Sequence, residues 1–141
     1  MILYFIRHGL AENYGDNFSR ELTTKGKILL KEKFESFAKT LEKSKEIQII
    51  SSPLTRACQT SEILAGILGI QFIVNEEVYN FQIKDFIKKL KFNKTYIIVS
   101  HEPFISTWIR DFCKVDVIVS RGSIHELQLD ENLQGKLLGL Y

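Results

Sequence analysis

Residues 1–13 read MILYFIRHGLAEN, and the apolar run at the start leads directly into Arg7-His8-Gly9. The run is continuous rather than alternating, which is typical of a strand buried on both faces. A fixed cation, a titratable imidazole and a residue without a side chain therefore stand where a core strand ends.

Three later stretches share this continuous apolar character and predict further strands. They are residues 47–51 (IQIIS), 70–74 (IQFIV) and 95–100 (TYIIVS). The tail, residues 123–130 followed by 135–141, predicts a hairpin.

Between the strands the apolar residues follow a helical period. Residues 23–44 carry one apolar stripe, formed by Leu30, Phe34, Phe37 and Leu41. Residues 52–69 begin with Ser-Pro and end in Gly, which are favourable helix boundaries, so a second helix is predicted there. Shorter helices are predicted within 83–91 and 103–113. Strands that alternate with helices predict an α/β three-layer sandwich, a mainly parallel central sheet covered by helices on both faces.

Composition narrows the class of protein. The chain has 141 residues of which 45% are hydrophobic, so we expect a single domain over residues 1–141. Its 19 basic and 17 acidic residues nearly balance, which predicts neither a nucleic acid nor a membrane as partner. The opening apolar run is too short for a signal or a membrane span, so we expect a cytoplasmic protein. Cys58 and Cys113 form no CxxC motif and are expected to be small buried residues rather than metal or redox groups.

In a parallel α/β sheet, ligands bind outside the carboxyl ends of the strands. Arg7-His8-Gly9 follows the first predicted strand, Ser52-Pro53 and then Arg56 follow the second, and His101-Glu102 follows the fourth. Two of the three histidines thus occupy one edge of the sheet, together with two of only five arginines. Taken singly, His101 has a structural alternative as a buried core histidine and Arg56 as a solvated helix residue. Their common edge favours a functional site.

These residue types suit a phosphate group. Guanidinium forks bind phosphate oxygens in a bidentate way that lysine cannot reproduce. An imidazole beside such cations is held neutral, which makes His8 a candidate nucleophile. Gly9 has no Cβ, so we expect backbone and phosphate to approach each other closely there.

At this point four segments resemble a known family. FIRHGLAE (residues 5–12) resembles the Arg-His-Gly signature of the histidine phosphatase superfamily, which includes the phosphoglycerate mutases. SSPLTRACQT (51–60) and VSHEPFIS (99–106) resemble its second motif and its second histidine motif. RELTTKG (20–26) is similar to the short SixA-like branch, whose members remove phosphate from phosphohistidine on proteins.

The resemblance implies a mechanism and a phosphoglycerate mutase-like fold. His8 attacks phosphorus and becomes phosphohistidine, and water then hydrolyses the phosphoenzyme. Arg7, Arg56 and His101 form the phosphate pocket, with Arg20 joining them from the loop before the first helix. No metal and no organic cofactor are implied.

The proton donor departs from the family pattern. Many members supply an acid, and Glu102, directly after the second histidine, is the first candidate here, with Glu76 and Glu77 as alternatives. SixA-like members lack an acid at that place, and Glu102 has a structural alternative as a first-turn residue favouring a helix dipole. His125 is expected to be structural.

The expected function is a metal-independent phosphatase whose substrate is a phosphorylated protein or a small phosphoester, with protein phosphohistidine the first candidate. Arg56 and His101 lie only 45 positions apart, which leaves little room for a cap over a small substrate. Two alternatives stay open: a phospho-ligand binding module without turnover, and a phosphosugar mutase.

Overall fold

One mixed sheet of six strands runs through the chain, and the computed structural model describes every residue from Met1 to Tyr141. The strands are β1 (Ile2–Arg7), β2 (Ile47–Ser51), β3 (Phe72–Val74), β4 (Thr95–Ser100), β5 (Ile124–Leu129) and β6 (Gly135–Leu140). Their spatial order is β3-β2-β4-β1-β5-β6. Strands β1, β2, β3 and β4 are parallel to one another, whereas β5 and β6 form an antiparallel hairpin beside β1. The predicted mainly parallel sheet is confirmed.

Four helices cover the two faces of the sheet. They are α1 (Thr24–Ala38), α2 (Thr55–Leu68), α3 (Lys84–Lys88) and α4 (Phe104–Cys113). The core of one face contains residues of α1 and α2, and the core of the other contains residues of α3 and α4. None of these helices combines the length and the apolar content that crossing a bilayer requires. The three-layer α/β sandwich is therefore confirmed.

The continuous apolar run of β1 serves both layers. Leu3 and Phe5 belong to the core under α3 and α4, whereas Tyr4 and Ile6 belong to the core under α1 and α2. All four are buried, and burying one such side chain contributes about 1.5–3 kcal/mol. A central strand with helices on both sides has no polar face, which is why alternation is missing from its sequence.

Two elements are shorter in the structure than the sequence predicts. Residues 70–71 are not part of β3, because Gly69 adopts a left-handed conformation and the Ile70 N–H still bonds to Ala65 at the end of α2. Helix α1 stops at Ala38, since the next residues make tighter i to i−3 bonds. Cys58 lies in α2 and Cys113 at the end of α4, both half-buried and unpaired.

Strand register brings the predicted site residues to one edge. Arg7 pairs with Ser100, and Ser51 pairs with Val99, so β1, β2 and β4 end at the same level. The residues that follow these three strands are therefore neighbours in space.

Candidate active site

A cavity of about 250 Å³ opens at this edge of the sheet. Its walls are formed by Arg7, His8, Ala11, Glu12, Asn13, Arg20, Arg56, His101, Glu102 and Arg121. Six of the seven residues predicted from the sequence are brought together here; Gly9 is the exception. A larger groove of about 540 Å³ lies between α1 and α2, but it has no histidine or arginine on its walls.

His8 has the state that a nucleophile needs. It is only 7% exposed, and its Nδ1–H donates to the carbonyl oxygen of Gly9 at 2.8 Å. Nε2 therefore carries the lone pair, and it accepts a hydrogen bond from Nε of Arg56 at 3.3 Å. The pKa of His8 is lowered to about 4, mainly by burial; the bond to Gly9 opposes this shift, and the nearby charges of Arg56, Arg7 and Arg20 add to it. The ring is neutral at neutral pH.

His101 lies against His8, with their ring centroids 5.0 Å apart. It is 3% exposed, its Nε2 lies 2.5 Å from the hydroxyl oxygen of Ser52, and the ring of Tyr79 meets it edge-on. Burial first, then the neighbouring His8 and arginines, lowers the pKa of His101 to about 3. The sequence predicted His101 but not its partner Ser52.

Asn17, in the loop between β1 and α1, holds two of the arginines. Arg56 donates to the carbonyl oxygen of Asn17 at 2.6 Å and to its side-chain oxygen at 3.2 Å. Arg20 donates to the same side-chain oxygen at 3.4 Å and to the carbonyl oxygen of Glu12 at 3.1 Å. This loop therefore sets the two guanidinium groups side by side, a role that no motif around Asn17 signalled.

Two buried nitrogens at the cavity make no hydrogen bond. They are Nε of Arg7 and Nδ1 of His101, whereas Nη1 of Arg7 donates to the carbonyl oxygen of Val119 at 3.0 Å. Buried polar groups in proteins are nearly always satisfied, and both nitrogens belong to residues that line the cavity, which makes them candidate donors to a ligand. An oxyanion is the ligand that a guanidinium beside a neutral imidazole suits.

The carboxylates divide into those at the cavity and those away from it. Glu102 lines the cavity, and its Oε1 also accepts the Ser106 backbone N–H at 2.8 Å in the first turn of α4. Glu76 and Glu77 are exposed in a single 3₁₀ turn outside the cavity, where Glu77 pairs with Lys89 at 2.9 Å. Glu12 also lines the cavity, and sequence reasoning did not single it out.

The reason for a glycine at position 9 differs from the one the sequence suggested. A Cβ there would lie 2.6 Å from Cδ1 and 2.9 Å from Cγ of Leu30, so the glycine admits helix α1 rather than clearing space on the cavity wall. The Gly9 N–H donates to the Thr60 hydroxyl oxygen at 3.2 Å, and Thr60 donates to the Arg56 carbonyl oxygen at 2.8 Å. Gly9 therefore fixes the strand end against α1 and α2.

His125 lies outside the cavity. It is buried in β5, and its Nε2 lies 2.8 Å from the hydroxyl oxygen of Ser123. This placement agrees with the structural role expected for it.

Residues 3–88 match the family model of the histidine phosphatase superfamily (branch 1), and the chain belongs to that superfamily. The structure of the protein histidine phosphatase SixA complexed with tungstate has the same fold, with a TM-score of 0.89 at 20% identity over 99% of this chain and 96% of that one. A phosphoserine phosphatase from Entamoeba histolytica, in complex with 3-phosphoglyceric acid, gives a TM-score of 0.76 at 18% identity over 99% and 95% of the two chains. An uncharacterized protein of Picosynechococcus sp. is 41% identical over 72 residues, which take in 47% of this chain and 41% of that relative. The matched segment thus spans less than half of that relative's length.

Proposed function

We propose that this chain is a metal-independent phosphatase that hydrolyses a phosphoester or a protein phosphohistidine through a covalent phosphohistidine on His8. The observation that carries the proposal is the neutral, buried imidazole of His8, whose free Nε2 lies against Arg56 within a cavity lined by further arginines. Positive charge at this cavity comes from guanidinium groups, so the proposal assigns no metal and no cofactor.

In the first step, Nε2 of His8 attacks phosphorus while Nδ1–H keeps its bond to the Gly9 carbonyl oxygen. The bond from phosphorus to the leaving oxygen or nitrogen breaks, and the leaving group takes up a proton, for which Glu102 on the cavity wall is the first candidate donor. Arg56 Nε transfers its hydrogen bond from Nε2 to a phosphoryl oxygen, so the nucleophile is released as the substrate is gripped. Arg7, Arg20 and His101 complete the set of donors around the phosphoryl oxygens.

In the second step, water attacks the phosphorus of the phosphohistidine. The P–N bond breaks, inorganic phosphate leaves, and His8 regains its lone pair at Nε2. The same donors stabilise the charge in both transition states, because both transfers pass through one phosphoryl position.

We further propose that the substrate is a phosphorylated protein, with phosphohistidine the first candidate. Between Arg56 and His101 the chain reaches the site through Tyr79, whose ring packs against His101, and no residue of this connection is among those that line the cavity. This supports a cavity without a cap. An uncapped cavity admits a side chain that protrudes from a protein surface. The fold shared with the protein histidine phosphatase SixA supports the same substrate class.

The test compares wild type, His8→Ala and His125→Gln on a chromogenic aryl phosphate and on a phosphohistidine protein, each with and without EDTA. We expect loss of turnover only in His8→Ala, no effect of EDTA, and an acid-labile phosphoenzyme in rapid-quench samples of the wild type. Full activity of His8→Ala, or loss under EDTA, would contradict the mechanism. Phosphate binding without turnover would instead indicate a binding module, and conversion of one sugar phosphate into another would indicate a mutase.

A further inference from the structure

The loop that precedes β5 is fastened to the Arg7-His8 segment. The Gly122 N–H donates to the carbonyl oxygens of Arg7 at 2.9 Å and His8 at 3.0 Å, and the Arg7 N–H donates to the carbonyl oxygen of Ser123 at 3.1 Å. The Arg7 side chain adds its bond to Val119. Gly122 has a φ of +75°, a left-handed conformation that favours glycine. The backbone on both sides of Arg121 is therefore held in place by the nucleophile segment.

Arg121 projects from this loop to the cavity wall. It is the arginine for which the protein supplies no acceptor. Arg7, Arg20 and Arg56 each donate to protein oxygens, and Arg110 pairs with Asp116 at 2.7 Å. Arg121 takes part in none of the four ion pairs of the chain and in no side-chain hydrogen bond. Its five N–H donors are free to bind a ligand.

The position of Arg121 within the cavity differs from that of the other three arginines. Arg56 bonds to Nε2 of His8, whereas Arg121 lies between Val119 and Gly122, both of which bond to Arg7. Arg121 therefore lies on the Arg7 side of the cavity wall. The cavity therefore has a second cationic position, displaced from the place of the scissile phosphate.

We propose that Arg121 binds a second anionic group of the substrate, a carboxylate adjacent to the scissile phosphate. This inference rests on the proposed function, because it assigns the site beside the nucleophile. A guanidinium fork matches a carboxylate in a bidentate way. The uncapped cavity favours a carboxylate on an acidic side chain next to the phosphorylated residue of a protein. A small molecule that carries both a phosphate and a carboxylate is the other source of this group, and the experiment below distinguishes the two.

The experiment uses wild type, Arg121→Gln and Arg121→Lys, with Arg110→Gln as a matched loss of an arginine outside the cavity. Two pairs of substrates are compared: 4-carboxyphenyl phosphate with its carboxamide, and phosphohistidine peptides with Asp or Asn beside the phosphorylated residue. We expect the KM of the wild type to be about tenfold lower for the substrate with the carboxylate in each pair, which is the effect of one charge-assisted bidentate contact. Arg121→Gln should remove this preference and leave kcat on the carboxamide and on the Asn peptide unchanged. Arg121→Lys should show an intermediate preference for the carboxylate, and Arg110→Gln should show the preference of the wild type.

Two results would overturn the assignment. One is a wild type without a preference for either carboxylate; the other is an Arg121→Gln enzyme that loses kcat equally on all substrates, as a residue on the scissile phosphate would. A preference confined to the aryl pair would support Arg121 as a carboxylate site but place the acid on a small substrate. Calorimetric binding of the corresponding benzylphosphonates keeps the test independent of turnover. The preference for the carboxylate must appear in these binding measurements even if the wild type hydrolyses none of the substrates. A lack of hydrolysis would contradict only the proposed function.

Discussion

The hydroxyl oxygen of Ser52 lies 2.5 Å from Nε2 of His101, and both residues are buried. The Leu54 N–H donates to the same hydroxyl oxygen at 3.4 Å, so the Ser52 proton is free for an acceptor. If Ser52 donates to Nε2, the neutral ring carries its proton on Nδ1 and becomes a hydrogen-bond donor. The opposite tautomer would leave Nδ1 without a proton to donate to a phosphoryl oxygen, so the proposed role of His101 as a donor requires the first one.

From this relationship we predict that Ser52→Ala lowers kcat about three- to tenfold with little change in KM, the value of one net hydrogen bond. Ser52→Thr retains the hydroxyl and restores the rate. Nitrogen-15 NMR of His101 is the direct measurement, because it reports which ring nitrogen carries the proton. An alanine variant with unchanged kcat and an unchanged tautomer would show that Ser52 does not position His101.

Charge alone will not replace the arginine forks. Arg7→Lys and Arg56→Lys keep the positive charge but lose the planar pair of donors. Each should lower kcat/KM by about 10² to 10³, or roughly 2.7 to 4 kcal/mol, by analogy with removing one donor from an oxyanion hole. Arg110→Lys, outside the cavity, is the control. Near wild-type rates in both Arg7→Lys and Arg56→Lys would contradict bidentate binding of the phosphate by these two arginines.

The leaving-group proton can be assigned by comparing two carboxylates on the cavity wall. If Glu102 is the acid, Glu102→Gln slows hydrolysis of alkyl phosphates by about 10² to 10⁴ while barely affecting activated aryl phosphates, since only the former require protonation. The Gln oxygen can still accept the Ser106 N–H, so the melting temperature should hardly change. Glu12→Gln is the matched variant, and a leaving-group effect confined to it would move the role to Glu12. An equal effect of Glu102→Gln on both substrate types would leave Glu102 as a structural residue.

The lowered pKa of His8 predicts a pH effect on stability. In the folded protein the pKa is about 4, against 6.5 as the ordinary value, so between these pH values the unfolded chain binds a proton that the folded chain does not. The contribution of neutral His8 is therefore fully present above pH 6.5 and is lost as the pH falls toward 4. Urea unfolding from pH 7 to 4 should show a shallower loss of stability for His8→Gln than for wild type. Parallel curves for the two proteins would contradict the shifted pKa.

Phosphate provides a second check of the same group. A bound anion favours the imidazolium, so the pKa of His8 measured by NMR should rise when phosphate is added. The pKa of His125, which lies outside the cavity, serves as the control and should stay constant. A His8 pKa that does not respond would place the anion elsewhere.

The sequence predicted the sheet and most of the cavity because both depend on local signals. Apolar runs mark buried strands, and parallel strands end at a common edge, so the residues after β1, β2 and β4 had to meet. Arg121 was missed because its place depends on β5 pairing with β1. The hairpin is visible in the sequence, but its neighbour in the sheet is not, and the loop before it has no periodicity to mark it.

Ser52 and Gly9 illustrate a different limit. Ser52 stood within a motif that was noticed, but the bond from its hydroxyl to His101 joins two strand ends and depends on side-chain rotamers. Gly9 was expected to clear space for phosphate, whereas its missing Cβ admits Leu30 of α1. The residue type was informative in both cases, but the neighbour that explains it is set by packing between elements far apart in the chain.

The central place of β1 also bears on biosynthesis. It is the first of the six strands to be synthesised, yet Ile2 pairs with Thr95 on one side and with Gln128 on the other. A growing chain therefore carries the nucleophilic histidine long before it has the partners that bury it and surround it with arginines. Contacts so distant in sequence close late. A chain cut short after α4 would bear His8 but lack the loop that fastens Arg7, so ribosomal products that end there should not bind phosphate.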